Sequence, residues 1–129
     1  MESDVLVVDD SAAIRKILQR VLRQTGMAIR NILEAGDGQE ALELIKSRPV
    51  DLVLSDINMP KMDGIQLLAA LKASAEWRSV PVVMITTEGG ETKVSEAVRL
   101  GAAGYVRKPF TADQIKEKLV GILQPAPPL

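Results

Sequence analysis

Histidine and cysteine are both absent from the 129 residues. Without histidine there can be no Ser-His-Asp triad, no Cys-His pair, no imidazole zinc site and no phosphohistidine carrier. Without cysteine there is no disulfide framework and no thiolate chemistry, a composition suited to a reducing compartment. Aromatic residues are almost missing too: Trp77, Tyr105 and Phe110 stand alone, so the core is expected to be aliphatic. Neither sign of charge dominates, with 16 basic and 17 acidic residues and a net charge of −1. Such a balance leaves no basic footprint for nucleic acid and no polybasic membrane patch. The start Met1-Glu2-Ser3-Asp4 has no basic n-region, and no stretch approaches the ~18 apolar residues of a membrane span. The expectation is a soluble, cytoplasmic, monomeric protein with no nucleic-acid or membrane partner. Its chemistry must come from carboxylates, hydroxyls, lysines and backbone groups, with or without a metal.

What is present is an alternation. Val5-Leu6-Val7-Val8 is a short, continuous apolar run that stops at Asp9-Asp10, the pattern of a strand buried on both faces. Ser11 is a helix N-cap candidate, and Ile14, Ile17, Leu18, Val21 and Leu22 form an amphipathic stripe that Gly26 ends. A weaker strand is expected from Ile29 to Glu34. Asp37-Gly38 then opens a helix carrying Ala41, Leu42 and Ile45, which Pro49 ends. Val50 to Ser55 reads as the third strand and runs into Asp56. Asp63-Gly64 starts a third helix with Ile65, Leu68 and Leu71. Val80 to Ile85 is the clearest strand, ending at Thr86-Thr87, and Glu88-Gly89-Gly90 links it to a helix with Val94, Ala97 and Val98. Gly101 is the expected C-cap, Gly104 to Arg107 a short strand, and Thr111 with Gln114 a capping box for a last helix through Ile115, Leu119 and Ile122. The tail Gln124-Pro125-Ala126-Pro127-Pro128-Leu129 cannot be helical. One domain over residues 1–124 with a Pro-rich tail at 125–129 is the expected organisation.

Five strands alternating with five helices predict an α/β, doubly wound, five-stranded parallel sheet. In such sheets ligands bind beyond the carboxyl ends of the strands, near the switch in strand order. On that rim fall Asp9 and Asp10, Asp56, Thr86 and Lys108. Taken singly each has a plain reading: Asp9 and Asp10 as a helix cap, Asp56 as a turn residue, Thr86 as packing and Lys108 as a surface cation. Together, three carboxylates repel one another unless a cation lies among them or one is protonated. An all-oxygen ligand set favours a hard ion such as Mg²⁺. An oxygen nucleophile, a metal, a lysine and a hydroxyl are the requirements of in-line phosphoryl transfer.

Four segments together resemble the receiver domains of two-component response regulators. They are Leu6-Val7-Val8-Asp9-Asp10-Ser11, then Ser55-Asp56-Ile57-Asn58-Met59-Pro60-Lys61-Met62-Asp63-Gly64, then Thr86, and finally Gly101-Ala102-Ala103-Gly104-Tyr105-Val106-Arg107-Lys108-Pro109-Phe110. The likeness covers Asp4 to about Gln124 and is greatest to single-domain chemotaxis regulators of the CheY type. The resemblance implies the flavodoxin-like (βα)5 fold with strand order 2-1-3-4-5. It implies Asp56 as phosphoryl acceptor from the phosphohistidine of a sensor histidine kinase (CheA-like). Asp10, Asp56 and the backbone carbonyl of Asn58 would ligate Mg²⁺, with Asp9 acting through water. Lys108 would pair with the phosphoryl group or Asp56, and the Lys108-Pro109 peptide would be cis. Thr86 and Tyr105 would switch an output face, while Asn58 and Glu88 would tune self-catalysed dephosphorylation and access of a phosphatase.

On this reading the chain is a stand-alone receiver rather than an enzyme acting on other substrates. Its output would be binding to a protein such as the flagellar motor switch, or else a place in a phosphorelay or a phosphate sink. Two departures stand out. Ile57 takes the place where chemotaxis proteins often carry a tryptophan, and Gly89-Gly90 loosens the entry to the fourth helix. The rival from the enzyme class is a Mg²⁺-dependent phosphatase with an aspartyl-phosphate intermediate. Such hydrolases carry a second acid-base aspartate two residues after the nucleophile, and Asn58 occupies that position. A flavin-binding module is disfavoured because no Gly- or Thr-rich phosphate loop follows the first strand.

Overall fold

The alternation of apolar runs and amphipathic stripes resolves, in the computed structural model, into ten elements in the order β1 (Ser3–Val8), α1 (Ala12–Gln24), β2 (Ile29–Ala35), α2 (Gly38–Ser47), β3 (Leu52–Asp56), α3 (Gly64–Lys72), β4 (Val82–Thr86), α4 (Glu91–Arg99), β5 (Gly104–Arg107) and α5 (Ala112–Leu119). Residues 2–87 and 91–123 are described. The expectations for Glu88, for Gly89-Gly90 and for the Pro-rich tail therefore lie outside the described residues. All strand pairs are parallel, and the sheet order is β2-β1-β3-β4-β5.

Burial explains why some strands are legible in sequence and others are not. Val5 to Val8, all of β3 and all of β4 are buried, because these strands lie in the middle of the sheet with helices on both faces. At the edges, β2 exposes Arg30, Asn31 and Glu34, and β5 exposes Tyr105 and Arg107, so their apolar signal is broken. Successive residues of β1 serve opposite sides. Leu6 and Val8 join Val53 and Met84 under α2, α3 and α4, packing on Ala41, Ile45, Ile65, Leu68, Leu71 and Ala97. Val5 and Val7 join Leu54, Val83 and Ile85 under α1 and α5, packing on Leu18, Leu22, Ile115 and Leu119. Both layers are aliphatic, and Trp77 and Phe110 only flank them.

The helix starts follow local chemistry. Ser11, Asp37, Asp63 and Thr111 are N-caps whose side chains accept the amides of Ile14, Glu40, Gln66 and Gln114. At α5 the box is reciprocal, since the Gln114 amide oxygen accepts the Thr111 N–H at 2.9 Å. Thr111→Ala removes one side of this exchange and should cost about 1 kcal/mol in urea unfolding.

Three boundaries and the burial of one residue differ from the expectation. β3 begins at Leu52, because the Asp51 N–H closes onto the Asp4 carbonyl and the Asp51 carboxylate accepts the Asp4 N–H, both at 2.8 Å. β4 begins at Val82, since Val80 hydrogen-bonds back to Trp77 in a turn and Pro81 has no N–H for the ladder. α5 stops at Leu119 and excludes Ile122. Gly121 adopts φ +92°, and the Ile122 and Leu123 amides both turn back to the Leu119 carbonyl. Ile17, expected in the buried stripe of α1, is 37% exposed.

Candidate functional site

β1 lies between β2 and β3, so the chain leaves it in one direction and returns on the other side. A crevice opens there at the carboxyl ends of the strands. Asp9 sits directly after β1, held by its N–H to the Ala35 carbonyl (3.1 Å), and is 1% exposed. Its Oδ1 accepts the Ser11 N–H at 2.9 Å and its Oδ2 accepts the Lys108 ammonium at 3.1 Å. Asp10 follows and is exposed. Asp56 is the last residue of β3 and is 7% exposed. Its Oδ1 accepts the Ile57 N–H at 2.8 Å, and its Oδ2 lies 3.3 Å from Lys108 Nζ. Carboxylate oxygens of Asp9, Asp10 and Asp56 all lie within 4.8 Å of one another.

Lys108 comes from the far side of the sheet. Its backbone N–H donates to the Thr86 carbonyl at 2.7 Å as β5 ends, and the peptide to Pro109 is cis. From there the side chain spans two acids, so one ammonium partly neutralises a cluster of three carboxylates. Burial pulls the Lys108 pKa down, but the hydrogen bonds and charges of Asp9 and Asp56 outweigh it and leave it raised. Asp56 is raised as well: burial is the main cause and the Asp9 charge adds to it, against the opposing Lys108. The site is therefore short of positive charge. Its oxygen-only donors, converging with one carboxylate open to solvent, fit a hard divalent cation.

Other expected site residues stand further back. Thr86 ends β4, is buried, and its hydroxyl donates to the Thr87 carbonyl at 3.1 Å. Tyr105 lies on β5, opposite Met84 in register, and is 39% exposed with Lys118 Nζ 5.6 Å from its ring centroid. Asn58 is exposed in the loop after β3. One contributor went unrecognised in the sequence. Arg15, in the second turn of α1, donates from Nη1 to the Asp9 carbonyl at 2.6 Å and from Nε to Glu34 at 3.0 Å. Its helical position after Ser11 was readable, but its contact with Glu34 spans 19 residues and needs the fold. Beside Lys108, a groove of about 330 Å³ is lined by Ile14, Ile17, Pro109 and Phe110, which accounts for the exposure of Ile17.

Residues 5–120 match the response regulator receiver domain family. The chain belongs to that family. It is 42% identical over 120 residues to "Chemotaxis protein CheY-3" of Vibrio cholerae, covering 93% of this chain and 91% of that one. It is 41% identical over 120 residues to "Chemotaxis protein CheY" of Pseudomonas aeruginosa, covering 93% and 95%. Among solved structures, the chemotaxis response regulator CheY4 of Vibrio cholerae superposes with a TM-score of 0.83 at 32% identity, covering 95% of this chain and 100% of that chain. The receiver domain of NtrX from Brucella abortus gives 0.82 at 33%, covering 92% and 97%. Receiver domains are signalling proteins that bind a divalent cation in an acidic pocket, and Asp9, Asp10 and Asp56 form such a pocket in this receiver. No helix among the described residues is long and apolar enough to cross a membrane.

Proposed function

We propose that this receiver accepts a phosphoryl group on Asp56 from the phosphohistidine of a sensor histidine kinase, with Mg²⁺ as the divalent cation. The observation that carries the reading is Lys108 Nζ, 3.3 Å from Asp56 Oδ2 and 3.1 Å from Asp9 Oδ2, within a cluster that Asp10 completes. Asp10, Asp56 and the Asn58 carbonyl would hold the ion, with Asp9 reaching it through water. Bound Mg²⁺ supplies neutralisation of the charge on the phosphoryl oxygens. An Asp56 oxygen forms the new O–P bond while the P–N bond to the donor imidazole breaks, its electron pair returning to that nitrogen. Lys108 stabilises the charge carried by the phosphoryl group. Incubation with acetyl phosphate, with and without Mg²⁺, followed by intact mass tests the acceptor. One phosphoryl group gained only with Mg²⁺ is expected, and no labelling by any donor or kinase refutes the reading.

Thr86 and Tyr105 would carry the change to the face of α4, β5 and α5, with the Thr86 hydroxyl leaving the Thr87 carbonyl for a phosphoryl oxygen. Asn58 would tune self-catalysed dephosphorylation. The relatives that bear chemotaxis names, at 41 and 42% identity, support a cytoplasmic chemotaxis role with a CheA-like kinase and the flagellar motor switch as partners. Phosphorylation-dependent binding to a motor-switch protein tests that role. Phosphoryl transfer onward to a histidine phosphotransfer protein would favour a relay instead.

The cation itself has a thermodynamic signature. Mg²⁺ at ten times its dissociation constant should stabilise the fold by about 1.4 kcal/mol. Asp10→Asn should lose most of that gain while changing the metal-free stability little, since Asp10 is exposed. Urea titrations of both proteins with and without Mg²⁺ make the comparison.

A further inference from the structure

Lys61 is the one non-glycine residue among those described with a left-handed backbone, at φ +65°. The Met62 N–H closes onto the Pro60 carbonyl at 2.7 Å, a three-residue turn around Lys61. With positive φ at the centre this is the rare, strained form of that turn. Such strain persists only where the surroundings over-determine it, and it gathers at functional sites.

Two glycines supply the constraint. Gly64, the first residue of α3, donates its N–H to the Ile57 carbonyl at 2.8 Å. A Cβ there would lie 2.2 Å from the Asp56 carbonyl oxygen and 2.8 Å from Met84 Cε. Gly38, the first residue of α2, donates its N–H to the Met62 carbonyl at 2.9 Å. A Cβ there would lie 2.8 Å from the Met62 oxygen and 2.7 Å from Met62 Cγ. Both contacts involve backbone, which cannot swing aside as a long side chain can. The loop from Asn58 to Asp63 is thus anchored at one end on the acceptor strand and at the other on a helix that contributes no group to the acidic cluster.

We propose that Gly38 is a positioning residue for the divalent-cation site: α2 clamps the strained β3–α3 loop through Met62 and so holds the Asn58 carbonyl in place. The proposal rests on the reading of Asn58 as a backbone ligand. Asp37 makes the clamp firm, because it is buried and caps α2 through the Glu40 N–H at 2.8 Å. The helix that carries Gly38 is in turn packed into the core by Ala41 and Ile45.

Gly38→Ala tests this, with Gly36→Ala as its neighbour control. A Cβ at Gly36 meets only side-chain ends, Glu40 Oε2 at 3.4 Å and Arg15 Nη1 at 3.8 Å. Mg²⁺ affinity, followed by the amide signals of the β3–α3 loop, should fall about tenfold in Gly38→Ala, the range of residues that orient a metal's ligands. Gly36→Ala should stay within twofold of wild type. Helix propensity alone would have Gly38→Ala stabilise α2 and leave the ion untouched. Hydrogen exchange in the wild type gives a second reading that needs no folded variant. Coupling is reciprocal, so saturating Mg²⁺ should slow exchange of the Gly38 amide by about tenfold. Wild-type Mg²⁺ binding with unchanged affinity in Gly38→Ala, or with unchanged exchange at Gly38, overturns the clamp alone. Failure of the wild type to bind Mg²⁺ overturns the cation reading and the clamp with it.

Discussion

Asp56→Asn should abolish labelling by acetyl phosphate and Mg²⁺ and at the same time make the metal-free protein more stable at neutral pH. The first effect follows from chemistry. An amide oxygen is a far weaker nucleophile than a carboxylate and cannot form the acyl phosphate. The second follows from the environment of Asp56, whose pKa is raised on folding by burial and by the neighbouring Asp9 despite Lys108. A carboxyl group with a raised folded pKa contributes its stability below the unfolded value and loses it as pH rises through the folded one. At neutral pH the ionised Asp56 is therefore a net cost. Asn keeps the shape and its Oδ1 can still accept the Ile57 N–H, but the amide nitrogen in place of Oδ2 cannot accept from Lys108, which keeps Asp9 as its partner. Removal of the buried charge should leave the variant the more stable of the two. The advantage should vanish as pH falls below the ordinary carboxylate value of 3.8. Urea midpoints from pH 3 to pH 8, about the range where such groups titrate, give both ends of the comparison. A variant that is labelled like the wild type would remove Asp56 from the acceptor role. One that is less stable at neutral pH would mean that the Lys108 pairing outweighs burial.

Lys108→Ala should act on stability in the opposite direction, with a larger penalty. Its ammonium contacts both Asp9 and Asp56, and its own side chain is only one-fifth exposed. Removing it leaves two carboxylates facing each other with no protein cation between them. Breaking a fully buried pair costs about 3–5 kcal/mol. Partial exposure at Lys108 brings the expected loss to about 2 kcal/mol. Because the remaining carboxylates then resist ionisation, the deficit should shrink as pH falls, and Mg²⁺ should restore much of it by supplying the missing charge. Phosphoryl transfer should not be restored. Loss of a group that stabilises developing charge costs about 10²–10³ in rate, read here from acetyl phosphate labelling at saturating Mg²⁺. Lys108→Arg should recover stability better than rate, since a planar fork does not reproduce a compact ammonium. Equal labelling rates for wild type and Lys108→Ala would show that Lys108 serves the fold alone.

These predictions concern groups that sequence and structure reveal unequally. Asp9, Asp10, Asp56, Thr86 and Lys108 were readable as strand-end residues because each follows or ends an apolar run. The topology rule then brings strand ends to one rim. Spacing alone did not read their pairing, and the resemblance gave Lys108 a place beside Asp56 but not its hydrogen bond to Asp9. Lys108 binds Asp9 from 99 residues away, and nothing local to either segment says which acid it meets. Thr86 illustrates the converse. Its place on the rim was expected, yet its hydroxyl is engaged by Thr87 rather than by the acidic cluster.

The same division runs through the fold. Helix starts at Ser11, Asp37, Asp63 and Thr111 were legible, because an N-cap is a contact within four residues. The central strands were legible because burial on both faces leaves an uninterrupted aliphatic run. Their first residues were not, since Asp51 and Val80 are claimed by Asp4 and Trp77 before the ladder begins. Sequence periodicity also placed Ile17 in the core, whereas it is 37% exposed and lines the groove beside Phe110.

Residue type and short-range order were enough to establish an aliphatic α/β domain with an acidic rim and no imidazole or thiol chemistry. Those properties depend on composition, periodicity and neighbours a few positions apart. Which acids share the lysine, how Arg15 grips Asp9, and how closely Met62 and Asp56 approach Gly38 and Gly64 depend on contacts between segments far apart in the chain. Only chain packing sets those distances, and at a charged site tenths of an ångström decide the energy.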